Sequence, residues 1–121
     1  MTAATLPGLD GRRPIDITTT GRHTGKPRRI EIAIHPINGR LYVSGMPSRR
    51  TRAWIYNLET DPRLTVHVKQ PGAERDLPAT ARVITDEAER REIIPHVAAR
   101  WGRTDIETMV EFSPLIEVVL D

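Results

Sequence analysis

The sequence predicts an α+β domain: a mainly antiparallel, partly closed β-barrel carrying two or three helices. Short segments of β-branched alternation recur about six times, most of them separated by Gly-, Pro- or Asp-containing turns. Two helical patterns interrupt them, which marks an α+β order rather than a sandwich alone. The 121 residues suffice for one hydrophobic core and not for two, and six strands in so small a domain favour closure of the sheet on itself.

Residues 1–14 read as a flexible N-terminal segment, and residues 15–121 as the domain. IDITTT (15–20) alternates and is β-branched, RRIEIAIH (28–35) alternates strictly, and LYVSG (41–45) follows an Ile37-Asn38-Gly39 turn. From 48 to 58, Thr51, Trp54, Ile55 and Leu58 fall on one face at helical spacing. Ser48 is placed to cap that helix, and Asp61-Pro62 stops it. RLTVHVK (63–69) is a fourth strand and PGAERD a turn. LPATARVIT (77–85) is a fifth strand, whose Pro78 suggests an edge or an irregular start. Thr85-Asp86-Glu87 caps a helix over 86–101 that Pro95 should kink or split. Asp105, Glu107 and Glu111 resemble the exposed face of a short helix, and PLIEVVL (114–120) is the closing strand. Aromatic residues make up only 4%, with Phe112 the single phenylalanine, so the core must be mainly Ile, Val and Leu; a barrel of this kind gains from dimerisation.

Several function classes are excluded or disfavoured. Cysteine is absent, which removes disulfides, thiolate nucleophiles and zinc–cysteine sites together. The four histidines, His23, His35, His67 and His96, stand on separate elements without metal-ligand spacing, so no metal site is expected. None of the three serines sits in a nucleophile elbow, no carboxylate pair stands out, and no catalytic residue is assigned. No run approaches a membrane span, and the start MTAATLPGLDGRRP lacks the apolar core of a signal peptide, so a cytoplasmic protein without a transmembrane segment is expected. Nucleic acid is a poor partner, because the basic stretches lack interleaved aromatics.

Charge is distributed unevenly. Residues 1–52 hold ten Lys/Arg against three Asp/Glu, whereas residues 53–121 hold eight against thirteen. Sixteen of the eighteen cations are arginine, whose planar fork matches carboxylate and phosphate oxygens, so an anionic ligand is the simplest partner. The turn GRHTGKPR (21–28) is not a nucleotide P-loop: three residues separate its glycines, Pro27 follows Lys26, and a strand comes next. It reads either as an anion nest of outward backbone N–H groups beside Arg22, His23 and Lys26, or as a solvated basic hairpin. Alternation puts Arg28 at the end of the Ile30, Ile32, Ile34 row and Arg29 on the opposite face, so Arg28 either snorkels past the barrel rim or meets an anion there. Arg49, Arg50 and Arg52 fall in the first turn of the 48–58 helix. Its dipole disfavours cations there, so either the three side chains fan into water at a small cost or an anion joins them.

TTTGRHTGKPR, then LYVSG, then AWIYNLETDPRLTVHV resemble the deazaflavin-dependent nitroreductase family, in which a Thr-rich strand runs into Gly-Arg-x-Thr-Gly-x-Pro-Arg and a later helix carries Trp-x-x-Asn-Leu-x-x-x-Pro. The likeness is close over residues 15–69 and one of pattern beyond. It implies a split β-barrel of the FMN-binding type, usually dimeric. It also implies coenzyme F420, an 8-hydroxy-5-deazaflavin with a phosphate and an oligoglutamate tail, with FMN as the alternative cofactor. By motif position the resemblance assigns Arg22, His23, Thr24, Gly25, Lys26, Pro27 and Arg28 to the anionic tail. Ser44, Gly45, Met46, Ser48, Arg49, Arg50 and Thr51 border phosphate and ring, and Trp54 and Asn57 support the pocket. From the residues alone, Trp54 reads first as a core side chain on this helical face, and Asn57 equally as a cap or structural hydrogen-bonder. The tyrosines that nitro-reducing members carry before the last strand are replaced by Trp101, Asp105, Met109 and Phe112, of which Trp101 and Met109 can line a substrate pocket or the core. The implied activity is hydride transfer from reduced F420 to an apolar, conjugated acceptor: a quinone, an enone or a lipid-like molecule met in solution or at a membrane surface. A carrier that binds the cofactor without turnover is the alternative.

Overall fold

The computed structural model describes residues 7–121. Six strands, β1 (Ile15–Thr20), β2 (Pro27–Ile37), β3 (Arg40–Ser44), β4 (Arg63–Val68), β5 (Arg75–Val83) and β6 (Leu115–Leu120), close into an antiparallel barrel in the order β1-β2-β3-β6-β5-β4. Three helices complete it: α1 (Ala53–Thr60), α2 (Glu87–Trp101) and α3 (Ile106–Phe112). The predicted class is therefore the observed one, and the barrel is closed rather than partly open.

Period-two alternation builds the core. Ile15 and Ile17 of β1, Ile34 of β2, Leu41 and Val43 of β3, Leu64, Val66 and Val68 of β4, Ala79 and Ala81 of β5 and Ile116 and Val118 of β6 all point inward and are buried. Trp54, Ile55 and Leu58 of α1 join this cluster, so α1 plugs one end of the barrel. A second apolar cluster lies outside the sheet, where Tyr42 and Leu115 are covered by Ile93, Ile94 and Val97 of α2 and Met109 and Val110 of α3.

Several boundaries differ from expectation. β2 continues through Pro36 to Ile37, and the Asn38-Gly39 turn, with both residues at positive φ, folds it back onto β3. β5 begins at Arg75, so Pro78 stands inside the strand, one residue before pairing with β6 starts at Ala79. α2 is capped by the Asp86 carboxylate accepting from the Glu89 amide and runs unbroken through Pro95. α1 starts at Ala53, not near Ser48: Arg52 is its N-cap residue, and Ser48 donates its hydroxyl to the Arg50 carbonyl instead. Arg49, Arg50 and Arg52 thus precede the helix in an irregular loop rather than opposing its dipole from the first turn. Of the segment expected to be flexible, residues 1–6 lie outside the described residues, while Leu9 has no exposed surface and packs into the barrel core. No helix among the described residues is long and apolar enough to cross a membrane.

Candidate functional site

The barrel end plugged by α1 gathers the charge. Elsewhere most cations have carboxylate partners: Arg12 with Asp10, Arg29 and Lys69 with Asp16, Arg40 with Glu117, Arg63 with Asp61, Arg82 with Glu89 and Glu117, Arg91 with Glu87 and Glu107, and Arg103 with Asp105, whereas Arg13, Arg75, Arg90 and Arg100 have none among the described residues. Arg22, Lys26, Arg28, Arg49, Arg50 and Arg52 form no ion pair among the described residues, and all six border the α1 end. Unpaired cations in one place are an electrostatic demand for an anion.

The β1–β2 turn that presents three of them is closed by its own backbone. The Gly21 amide donates to the Lys26 carbonyl and the Gly25 amide to the Gly21 carbonyl, both at 2.8 Å. The Lys26 amide donates to Thr24 Oγ1 at 3.2 Å and the Arg22 amide to Asn57 Oδ1 at 3.0 Å. These four amides are therefore engaged within the protein and are not donors of an outward-facing nest, one of the two alternatives for this turn. The turn offers guanidinium, imidazole and ammonium side chains instead. Gly25 makes this closure possible at φ 69°, where a side chain would be strained. Asn57, buried in α1, holds the turn to the helix: its Nδ2 donates to Thr19 Oγ1 at 3.1 Å while its Oδ1 receives the Arg22 amide. Arg22 then lies over the Tyr56 ring, 4.3 Å from its centroid.

Beside this turn runs a trough in two compartments. The first, about 400 Å³, is lined by Arg22, His23, Thr24, Arg28, Trp54 and Asn57, with Gly21, Arg29, Ile30 and Ala53. The second, about 280 Å³, is lined by Ser44, Gly45, Met46, Arg52, Trp54 and Trp101 over the outer strand surface at Ala33. Trp54 and Ile30 belong to both and form the shared wall. Backbone must approach closely at Gly45, where a Cβ would stand 3.2 Å from Pro114. Trp54 is thus both core and wall.

Other predicted residues lie elsewhere. Gly25 and Pro27 face a separate hollow with Thr18, Thr20 and Asp61, and Lys26 is exposed on the turn. Ser48, Arg49, Arg50 and Thr51 line a third cavity on the opposite side of α1. Of the segment before β6, Trp101 reaches the trough, Met109 is wholly buried in the outer cluster, Asp105 is bound to Arg103, and Phe112 faces the third cavity. The site residues that sequence reasoning did not assign include Arg52, Ile30, Ala53 and Pro114; Arg52 belongs to the same basic loop and was legible as such.

Polar groups on the trough's second compartment are mostly engaged. The Ser44 hydroxyl donates to the Pro114 carbonyl at 2.5 Å, and Glu31 takes the Lys69 ammonium at 2.5 Å. Arg103 holds the Asp105 carboxyl below its ordinary range. His35, behind Trp101 and edge-on to it at 5.1 Å, is buried with neither ring nitrogen partnered; desolvation, with Arg100 adding, lowers its pKa to about 4. The compartment therefore has flat apolar walls, the Arg52 cation, and no free carboxylic acid.

A family model for F420H(2)-dependent quinone reductase matches residues 3–120. Among solved structures, the fold is similar to a conserved hypothetical protein, Rv2991, from Mycobacterium tuberculosis (TM-score 0.74, 17% identity, 99% of this chain and 81% of that one). It is also similar to HutZ, a heme storage protein from Vibrio cholerae (0.70, 16%, 93% and 84%). An F420-H2 dependent reductase, FDR-A, matches at TM-score 0.60 with 23% identity over 88% of this chain and 94% of that one.

Proposed function

The chain belongs to the F420H(2)-dependent quinone reductase family, and from that premise we propose that the two-compartment trough holds reduced F420 and delivers its hydride to an apolar, conjugated acceptor. The chain is an F420-dependent reductase by family; the residues and the acceptor class are the proposal. One observation carries it: Arg22, Arg28 and Arg52, none of them in an ion pair among the described residues, line a trough walled by Trp54 and Trp101.

The residues present fit this cofactor. Its tail and phosphate are polyanionic and its ring flat. Arg22, His23 and Arg28 line the first compartment, with Lys26 beside them on the turn, and Trp54 and Trp101 wall the second. Arg28 is the strongest tail contact, because it has no ion pair while its neighbour Arg29 is bound to Asp16 at 2.8 Å. Arg52, whose Nη2 donates to the Met46 carbonyl at 3.0 Å, closes the 45–52 loop over the second compartment and leaves the remaining guanidinium N–H groups for a phosphate. When bound, the reduced cofactor supplies a hydride from its C5 carbon. The protein's part is to fix the ring against Trp54 and Ile30, keep water from its face, and leave the Trp101 and Met46 side for the acceptor.

That side lacks an available acid. Asp105 stays ionised beside Arg103, Glu31 is tied to Lys69, and the Ser44 hydroxyl points at a carbonyl. An acceptor that stacks well and needs little help with protonation suits it, hence quinones and lipophilic enones ahead of nitroimidazoles. Titration with F420 followed by its absorption tests the cofactor assignment, and steady-state oxidation of F420H2 against a matched acceptor panel tests the acceptor. Faster turnover of nitroimidazoles than of quinones overturns the acceptor class. A homodimer belongs to the same reading, and sedimentation velocity decides it.

A further inference from the structure

We infer that the cavity on the far side of α1 is a second ligand site, separate from the trough, and that it takes a small organic anion carried on a flat apolar body. The helix divides the two: Ala53, Trp54 and Asn57 face the trough, while Ile55, Tyr56 and Glu59 face this cavity. It measures about 410 Å³, within the range of small-molecule sites.

Its walls and its charge specify the ligand. Val83 and Ile84 at the end of β5, with Leu115 and Ile116 of β6, make an apolar floor. The Phe112 ring stands at the side with the Arg49 guanidinium 5.2 Å from its centroid, a ready platform for a second flat group. Arg49 and Arg50 form no ion pair among the described residues, and the loop carrying them is pinned in place by the Ser48 amide donating to the Phe112 carbonyl at 3.0 Å. Beneath them lies Arg90, a half-buried guanidinium whose hydrogen bonds all go to main-chain carbonyls, those of Ile84, Met109, Val110 and Ser113. Its donors are engaged, yet its charge has no carboxylate beside it. A partly desolvated cation in that condition is stabilised by an anion brought alongside. Glu59 and Glu111 are the carboxylates on the cavity, both exposed, against Arg49, Arg50, Arg52 and Arg90; the balance is positive. Nothing in the reductase reading requires this cavity, and the proposal does not rest on that reading.

The probe is 8-anilinonaphthalene-1-sulfonate, a flat apolar body with one anionic group, with uncharged N-phenyl-1-naphthylamine as its counterpart. Fluorescence titration of the folded full chain should give a saturable site. Its affinity falls tenfold or more in the Arg49→Ala/Arg50→Ala double variant and stays within twofold in Arg22→Ala/Arg28→Ala. Glu59→Gln should tighten binding several-fold at an unchanged stoichiometry of one, and near-UV circular dichroism verifies native packing in each variant, since a loosened fold would bind the probe without saturating at one site. Added F420 should leave the signal in place, and the uncharged probe should bind at least tenfold more weakly. Loss of binding in Arg22→Ala/Arg28→Ala with none in Arg49→Ala/Arg50→Ala, displacement by F420, or equal affinity for the uncharged probe overturns the proposal. If F420 fails to bind at all, the reductase trough is refuted while the response to Arg49 and Arg50 still decides this site.

Discussion

Replacing Asn57 with alanine should separate two effects, on stability and on recognition of the cofactor tail. The side chain makes two hydrogen bonds, accepting the Arg22 amide at 3.0 Å and donating to Thr19 Oγ1 at 3.1 Å. Each such bond is worth about 1 kcal/mol net, and leaving the Thr19 hydroxyl, itself 1% exposed, without a partner costs about 1–3 kcal/mol more. The Arg22 amide sits on an exposed turn and can turn to water. A total of about 2–4 kcal/mol is within the roughly 5–15 kcal/mol that a domain of this kind commands, so the variant folds. Freed from α1, the turn no longer fixes Arg22 over Tyr56, and a loss of about 1 kcal/mol in tail binding is about fivefold in affinity. Titration with F420 and with a tail-less deazaflavin should show the first weakened and the second nearly unchanged. Thr19→Val is the control: it removes only the bond to Nδ2, so it should lower stability while keeping the tail preference. Equal changes in tail preference for both variants, or none in Asn57→Ala, would refute the tether.

Arg28→Ala should weaken F420 binding by about tenfold or more, the lower end of a charge-assisted contact because the residue is exposed, whereas Arg29→Ala should change it little; equal losses in a titration would contradict the facing of the two side chains. His35 is held neutral in the fold to about pH 4 while the unfolded chain protonates near 6.5, so stability present above pH 6.5 is lost as pH falls toward 4, by on the order of 3 kcal/mol. His35→Leu should flatten that slope in urea melts between those pH values; an unchanged slope would mean the imidazole is not the group that titrates. Arg90→Leu, which abandons the carbonyls of Ile84, Met109, Val110 and Ser113, should lower stability by about 3 kcal/mol or more, read as a drop in the urea midpoint.

The strands were legible because their burial alternates with the pleat, and β1 matches IDITTT residue for residue. β2 runs two residues past the alternating 28–35 segment, through Pro36 to Ile37. In the barrel β1 pairs with β2 only as far as Ile32, so Pro36 has a free edge and no ladder bond to break there. The start of α1 was misread for a different reason. Ser48 has the chemistry of a cap, but its amide is captured by the Phe112 carbonyl, a contact distant in sequence that no local pattern encodes, and the Arg52 guanidinium folds back on Met46 within the loop. Asn57 was ambiguous until both its partners, far upstream in the chain, were in place.

Which arginines are functional was not legible from their number, since sixteen of them crowd a chain of 121 residues. The fold sorts them. Several on the outer sheet and on α2 sit opposite carboxylates fixed by strand register or helical spacing, as Arg82 does between Glu89 and Glu117 and Arg91 between Glu87 and Glu107, while Arg75, Arg90 and Arg100 bond main-chain carbonyls instead. Such exposed pairs contribute little to stability each, but they neutralise the surface. Cancelling much of the charge elsewhere strengthens the field around α1, and an anionic ligand is steered there by what has been paired as much as by what has been left open. The +7 balance of the first 52 residues is thus a poor guide to the site by itself, because Arg29 and Arg40 within it are compensated by Asp16 and Glu117. The unpaired cations near this helix divide across it, with Arg22, Lys26 and Arg28 on one side, Arg49, Arg50 and Arg90 on the other, and Arg52 between. An eight-residue helix too short to be stable alone, held by Trp54, Ile55 and Leu58 in the barrel mouth, is therefore the element on which both anion sites depend.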